Sequence, residues 1–264
     1  MADEAVRVSR EGGAAVIELN RPEALNAWNK DLGLGLKDAI LGVADDDSVR
    51  AVMITGVGRA FSSGADLRDI TSDTTPSGRP DVQKVLEERY HPIIETIRSM
   101  PKPVLAAVNG PAVGIGCSLA LASDLIVAAE SAYFLLAFVN IGLTPDGGSS
   151  LLVPSRVGFT RAAQMALLGE RVGAEQAEAW GLINKVVPDA DFEAETTGLL
   201  ERLATGPTAS YAGTKRQLNR WLYEGIGDQL AFEASIQQEM AESDDFAEGV
   251  GAFLEKRKPS FGGR

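Results

Sequence analysis

The chain of 264 residues carries 45% hydrophobic and 23% charged residues, enough to bury one sizeable core or one large and one small lobe. Acidic residues outnumber basic ones by 37 to 25, a net charge of -12 that argues against a nucleic-acid partner, because such proteins carry a basic footprint. An anionic small molecule stays open, since a few cations or backbone N–H groups can converge locally.

AVRVS and GAAVIELN, the latter at residues 13 to 20, read as two short strands around an REGG turn. A loop over RPEALNAW then leads to a helix through NKDLGLGLKDAILGVADDD. Residues 49 to 55 form a buried strand, and GRAFSSGADL (58 to 67) follows it as a glycine-rich turn with a helix opening near Asp66. TSDTTPSGRP (71 to 80) is polar and breaker-rich, a mobile loop before a helix across VQKVLEERYHPIIETIRSM. KPVLAAVNG is strand and turn, VGIGCSLALASDL a small-residue helix, and IVAAE a strand. Helices are expected over 149 to 168 and 174 to 180, LINKVVP is a short strand, and strand signals vanish after about 190. The remaining segments are amphipathic helices that cap their own core or supply an oligomer interface, with Phe232, Phe246 and Phe253 as core or contact residues. The strand–turn–helix rhythm is α/β.

The second glycine-rich turn is NGPAVGIGCSLA, residues 109 to 120. It is no Walker A loop, which needs Gly-Lys-Ser/Thr where this chain has Gly-Cys, and no dinucleotide fingerprint, whose third glycine is here a leucine. What remains is a helix start near Gly114 with unpaired N–H donors, which favour negative charge. Paired with SSGADL it suggests two donors converging on one oxygen, the geometry of an oxyanion hole. The bland alternative is two tight structural turns.

Cys117, the single cysteine, has no internal disulfide partner and no neighbouring base; it reads as packed rather than nucleophilic. The opening MADEAVRVSREGG lacks an apolar signal core, and no apolar run reaches the roughly 20 residues that span a bilayer. A cytoplasmic location without membrane insertion is therefore expected. No clustered Cys/His set or HExxH motif is present, so no metal is implied.

LNRPEALNAWN (19 to 29), GRAFSSGADL, PKPVLAAVNGPAVGIGCSLALASDL (101 to 125), IGLTPDGG (141 to 148), LLGERVGAEQAEAWGLINKVVP (167 to 188) and EGVGAFLEKRKPSF (248 to 261) together resemble the crotonase family, the enoyl-CoA hydratase/isomerase group. The resemblance runs almost end to end. It implies an α/β fold of repeated ββα units in a spiral over residues 1–195 and a helical C-terminal region over 196–264 that serves oligomerisation and part of the ligand site. It also implies a homotrimer or dimer of trimers. The ligand is an acyl-CoA or enoyl-CoA thioester acting as substrate, with no prosthetic group.

By the same resemblance the two oxyanion-hole amides are those of Ala65 and Ile115, where most relatives have glycine at the second place. Coenzyme A contacts fall on Leu25, Ser63, Ala65, Asp66, Leu67, Arg68 and Ile115, with Phe253 and Lys256 reaching over from a neighbouring subunit. The plain reading of Lys256 is a solvated lysine. Hydratase relatives use two glutamates, and their places are taken here by Ser118 and Phe138. Neither is a general base at neutral pH. Asp146 in GLTPDGG remains, matching the aspartate of the isomerase-like branch. Its structural alternative is a cap on the helix that begins near Ser149.

His91 matches the active-site histidine of the family's chlorobenzoyl-CoA dehalogenase, although a lone histidine at the start of an apolar helical stripe is most often structural. Glu87 and Glu88 precede it on what reads as a solvated face. Asp66 and Asp124 read as turn-shaping acids. The favoured expectation is an enoyl-CoA isomerase with Asp146 as proton shuttle. The alternatives are an enoyl-CoA hydratase with a non-standard base and a non-catalytic acyl-CoA-binding protein.

Overall fold

The computed structural model describes residues 4–70 and 72–264. Among these, the main sheet has six strands: β1 (Val6–Glu11), β2 (Ala14–Leu19), β3 (Ala51–Gly56), β4 (Val104–Val108), β6 (Leu125–Ala129) and β9 (Lys185–Val187), adjacent in that order. Only the β1–β2 hairpin is antiparallel; every later neighbour is parallel. The parallel pairs require crossovers, which α1 (Lys30–Asp45), α4 (His91–Ser99) and α5 (Ile115–Ala122) provide. A smaller sheet joins β5 (Ala112–Val113), β7 (Tyr133–Leu135) and β8 (Val172–Gly173).

Alternation along the strands sorts their side chains between two cores. Val52 and Ile54 of β3, and Val104, Ala106 and Val108 of β4, join the main core with the buried stripe Leu32, Leu36, Ile40 and Val43 of α1. Their neighbours Ala51, Met53, Leu105 and Ala107 face the other way, onto Leu200, Leu203 and Ala204 of α8 (Phe192–Thr205). Helix α1 begins where Asn29 accepts from the Leu32 N–H at 3.0 Å.

The helix expected across residues 82 to 100 is not continuous. It is divided into a short α3 (Val82–Val85), a π-turn at Leu86–Tyr90, and α4. Pro92 sits in the first turn of α4 and has no N–H to return to the carbonyl one turn back, so the ladder slips there. Likewise α6 (Ser149–Leu168) is broken within its span by Gly158, at φ 75° and ψ 167°. After α7 (Ala174–Trp180) and α8 come α9 (Thr208–Leu222), α10 (Ile226–Ala241) and α11 (Asp244–Leu254). No helix among the described residues is long and apolar enough to cross a membrane.

Asp124 does more than shape the turn after α5. Its carboxylate accepts from the Val104 N–H at 2.9 Å and pairs with Arg98 of α4 at 3.2 Å and Lys215 of α9 at 2.8 Å. Both cations are buried, and Lys215 also donates to the Ile97 carbonyl at 2.6 Å. One acid thus ties α4, β4 and α9 together. Replacing it leaves two buried cations without their counter-charge, so Asp124→Ala should lose about 3–5 kcal/mol of unfolding free energy in urea titration. A loss below about 1 kcal/mol would instead match a solvent-screened surface pair.

Candidate active site

The two glycine-rich turns leave the C-terminal ends of β3 and β4, which are parallel neighbours, so strand pairing alone sets them side by side. Side chains and backbone then bond one to the other. Asn109 donates to the Gly58 carbonyl at 2.8 Å and accepts from the Gly56 N–H at 3.2 Å. The Ser62 N–H donates to the Pro111 carbonyl, and the Val113 N–H to the Ser62 carbonyl, both at 2.9 Å. A Cβ placed on Gly64 would lie 3.8 Å from the Gly114 Cα and 3.0 Å from the Val113 carbonyl oxygen. The backbones of the two turns touch.

Ala65 follows the first of these glycines. Its chain pairs in parallel with Trp28: the Trp28 N–H donates to the Gly64 carbonyl at 2.8 Å, and the Asp66 N–H donates to the Trp28 carbonyl at 3.0 Å. In a parallel bridge the bonds come from the residues flanking Ala65, so its own N–H is directed away from Trp28. Among the described residues it has no backbone acceptor. Ile115 follows the second glycine as the first residue of α5. Gly114, at φ 53° and ψ −125°, turns the chain there while donating to the Leu135 carbonyl at 2.9 Å. The carbonyl one turn before Ile115 belongs to Pro111 and is taken by Ser62, which leaves the Ile115 N–H among the unpaired donors of a helix start.

Asp146 reaches this place through a close approach. Gly147, at φ 62°, packs so tightly that a Cβ there would lie 2.5 Å from Ile115 Cδ1 and 2.9 Å from Ser118 Cβ. The Ser118 hydroxyl donates to the Asp146 carbonyl at 2.8 Å, pinning the loop onto α5. Ser118 therefore serves as an anchor for the loop. Phe138 is buried, its ring 3.9 Å from where a Gly114 Cβ would be.

The Asp146 side chain does not cap α6. Its backbone carbonyl accepts from Ser149, while Glu233 of α10 supplies the cap, accepting from the N–H groups of Gly148 at 2.7 Å and Ser150 at 3.0 Å. The Asp146 carboxylate is 5% exposed. One oxygen, Oδ2, accepts from Gln237 Nε2 at 2.9 Å, whereas Oδ1 has no partner. Burial pushes its pKa up to about 8; the Gln237 hydrogen bond opposes this and the nearby Glu233 adds to it. Burial likewise raises the Glu233 carboxyl.

The other expected ligand residues divide into two groups. Leu25 and Ser63 adjoin Ala65: the Ser63 N–H donates to the Leu25 carbonyl at 2.9 Å, and Leu25 and Asn26 hold left-handed φ values of 52° and 55°. Asp66 accepts from the Arg68 N–H at 3.2 Å and pairs with Arg21 at 3.4 Å, fixing the entry to α2 (Leu67–Ile70). Phe253 lies at the far end of α11 and Lys256 just beyond it, both exposed, and among the described residues no hydrogen bond or ion pair brings them to this cluster. Phe246 is core, and Phe232 and Phe253 are 59% and 62% exposed.

His91 is buried with Nε2 unpartnered, and burial pushes its pKa down to about 4, so it is neutral at pH 7. Cys117 is fully buried with its thiol pushed up to about 12. Glu87 and Glu88 are exposed. Three residues that the sequence did not single out belong to the site. Trp28 packs edge-to-face on Tyr90 with ring centroids 5.0 Å apart, and the Tyr90 hydroxyl pKa is raised far above its usual range by burial and by Asp146. Gln237 holds Asp146 from a helix some ninety residues away, and no local motif marks it.

A mostly parallel sheet with paired turns at its carboxyl edge, covered by a C-terminal helical region, defines an α/β protein of the crotonase fold. The chain belongs to the enoyl-CoA hydratase/isomerase family, whose model matches residues 9–264. It is similar to a probable enoyl-CoA hydratase of Rhodobacter capsulatus, at 45% identity over the full length of both chains. It is also similar to 1,2-epoxyphenylacetyl-CoA isomerase of Escherichia coli, at 40% identity over 96% of this chain and 97% of the relative. Among solved structures, an enoyl-CoA hydratase from Mycobacterium avium subsp. paratuberculosis superposes with a TM-score of 0.88 at 39% identity, covering 97% of this chain and 98% of that one. The family acts on CoA thioesters.

Burying Asp146 gives stability a pH dependence of known sign. With its carboxyl near pH 8 in the folded chain and near 3.8 when exposed, only the folded state holds this proton between those values. Its contribution to stability therefore falls as pH rises from about 4 to about 8. Asp146→Asn removes that loss and keeps an acceptor for Gln237. Thermal unfolding should show the Asn variant gaining on wild type across this window, with no further gain above it. A difference that stays flat with pH would mean the carboxyl titrates normally.

Proposed function

We propose that this protein is an enoyl-CoA isomerase that moves a double bond through a thioester enolate, with Asp146 as the single acid/base. The observation that carries the proposal is the buried Asp146 carboxylate, with one oxygen free, packed against the start of α5. In this reading the thioester carbonyl accepts from the Ala65 and Ile115 N–H groups, which stabilise charge as it develops on oxygen. Oδ1 takes a proton from C2 of a 3-enoyl-CoA. The C–H electron pair becomes the C1–C2 double bond of a dienolate as the carbonyl π pair moves onto oxygen; when the carbonyl re-forms, that pair becomes the C2–C3 double bond and the former C3–C4 pair takes the same proton at C4. No water or second catalytic group is consumed. Leu25, Ser63 and the Asp66–Arg68 segment would line the coenzyme A end, joined by Phe253 and Lys256 of a neighbouring subunit.

The identity to a relative named as a probable hydratase favours the second reading, hydration by a non-standard base. Against it, the two hydratase positions carry a serine spent on the Asp146 carbonyl and a buried phenylalanine. An unreactive acyl-CoA-binding protein would have no use for a buried carboxylate with a free oxygen, which costs folding stability.

Asp146→Asn should lower the isomerisation rate of a 3-enoyl-CoA by roughly 10²–10⁴-fold, while acyl-CoA affinity changes little because the backbone donors remain. Ser118→Ala should cost far less. Wild-type kcat/KM should rise with pH toward about 8, as the carboxylate form becomes populated. Water addition to a 2-enoyl-CoA that survives in Asp146→Asn would transfer the assignment to a hydratase with another base.

Assembly belongs to the same proposal. Phe159, Leu167 and Leu168 on α6, Trp221 on α9 and Phe253 on α11 are exposed apolar side chains, suited to a closed symmetric oligomer that completes the coenzyme A site. Light scattering should give about three or six times 27.9 kDa. A monomer at micromolar concentration would remove Phe253 and Lys256 from the site.

A further inference from the structure

Helix α10 presents two fully enclosed polar side chains, one turn apart, to the loop that carries Asp146. Glu233 grips the loop's end at the start of α6, and Gln237, with 0% exposure, grips its middle. The Thr144 N–H donates to Gln237 Oε1 at 3.1 Å. A backbone N–H can only donate, so the oxygen of the amide must face Thr144 and the NH₂ group must face Asp146. The amide's orientation is thus set by the backbone, and it can offer Asp146 Oδ2 only a donor.

We propose that Gln237 is the positioning residue of Asp146: by occupying Oδ2 with a fixed donor it makes Oδ1 the oxygen that exchanges the proton, and it holds the carboxylate form against burial. This rests on Asp146 being the proton-transfer group. An N–H that donates to Oδ2 opposes placing a proton on that atom, because two hydrogens would then face each other. The incoming proton is directed to Oδ1, the unpartnered atom. The same bond favours the ionised form, since a donor is held more strongly by a carboxylate than by a carboxylic acid. The titratable groups that act on Asp146 are Glu233 from α10, whose negative charge works in the opposite direction, and Tyr90 from the π-turn before α4, which stays neutral. Gln237 is the neutral group that offsets Glu233.

Two variants separate positioning from packing. Gln237→Met keeps an unbranched chain of similar length and loses both polar contacts. Gln237→Glu keeps the volume and the acceptor for Thr144, and exchanges the amide donor toward Asp146 for an ionisable carboxyl. Asp146 is followed directly by carbon NMR of ¹³Cγ-labelled aspartate, with Asp146→Asn assigning its signal, so the titration is read without any turnover. Its midpoint should move up by about one to two pH units in Gln237→Met, the size of a lost hydrogen bond to a charged group. The move should be at least as large in Gln237→Glu. In 3-enoyl-CoA turnover both variants should lose roughly 10- to 10²-fold in kcat with KM little changed, and the alkaline rise of the rate should shift with the NMR midpoint.

A packing role predicts that Gln237→Glu recovers the rate, because volume and the Thr144 bond are kept, and that the Asp146 midpoint in Gln237→Met stays where it is in wild type. That recovery, or an unmoved midpoint in either folded variant, overturns the proposal. Wild type supplies a test that needs no variant: the Gln237 side-chain amide resonances should shift with the Asp146 midpoint, and amide signals indifferent to it also overturn the proposal. If the midpoints shift as stated while Asp146→Asn retains full isomerase activity, Gln237 still controls the carboxyl and only the catalytic role of Asp146 fails.

Discussion

Parallel pairing of β3 with β4 is the constraint on which the site depends. Two neighbouring strands that run the same way must release their chains at the same edge of the sheet, so the turns after Gly56 and Val108 emerge side by side. Asn109 and the Ser62–Ala112 bridge then bond one turn to the other, and the glycines at 64 and 114 let the backbones touch. The N–H groups of Ala65 and Ile115 are left without backbone acceptors as a consequence of two different local patterns, a parallel bridge in one case and a helix start in the other. Such unpaired donors cost free energy unless water or a ligand satisfies them, so both favour an acceptor beside them.

The acid comes from a different layer of the molecule, and its placement rests on contacts of unequal kind. Ser118 and Gly147 bring the Asp146 loop onto α5 by a hydrogen bond and by the absence of a side chain. Glu233 and Gln237 hold the same loop from α10. The residues at positions 118 and 138 of this chain thus have occupations of their own: the serine anchors a loop and the phenylalanine fills space beside the second turn. A serine at position 118 suits a carboxyl in the adjacent loop, since two acids so close would repel and raise each other's pKa.

Buried charge is handled differently around Asp124 and around Asp146. Around Asp124 the acid faces two cations and a backbone N–H, so each charge has a partner and the cluster fastens α9 to the body. Around Asp146 no cation among the described residues pairs with the acid, and burial raises the carboxyl toward neutrality. The first arrangement is that of a joint. The second leaves a proton that is easily lost and regained near the pH at which cells work, which is the property an acid/base group needs.

Much of this was legible in the chain itself. Strand alternation, the leucine stripe of α1, the small-residue run of α5 and the two glycine-rich turns follow from local chemistry and appear where their sequences place them. The carboxyl of Asp146 stands out in the sequence because the resemblance places the hydratase glutamates at Ser118 and Phe138. Pro92 and Gly158 marked breaks that hydrophobic periodicity alone runs through, since a missing N–H or a left-handed φ does not alter the pattern of apolar residues. Which oxygen of Asp146 is free, which residue caps α6 and which helix supplies Gln237 are decided by contacts between segments some eighty to ninety residues apart. A glutamine in an amphipathic helix has the same local signature whether it faces water or a buried carboxylate. Only the packing of α10 against the 144–150 loop distinguishes the two, because burial and orientation are properties of the folded chain and not of any residue in it.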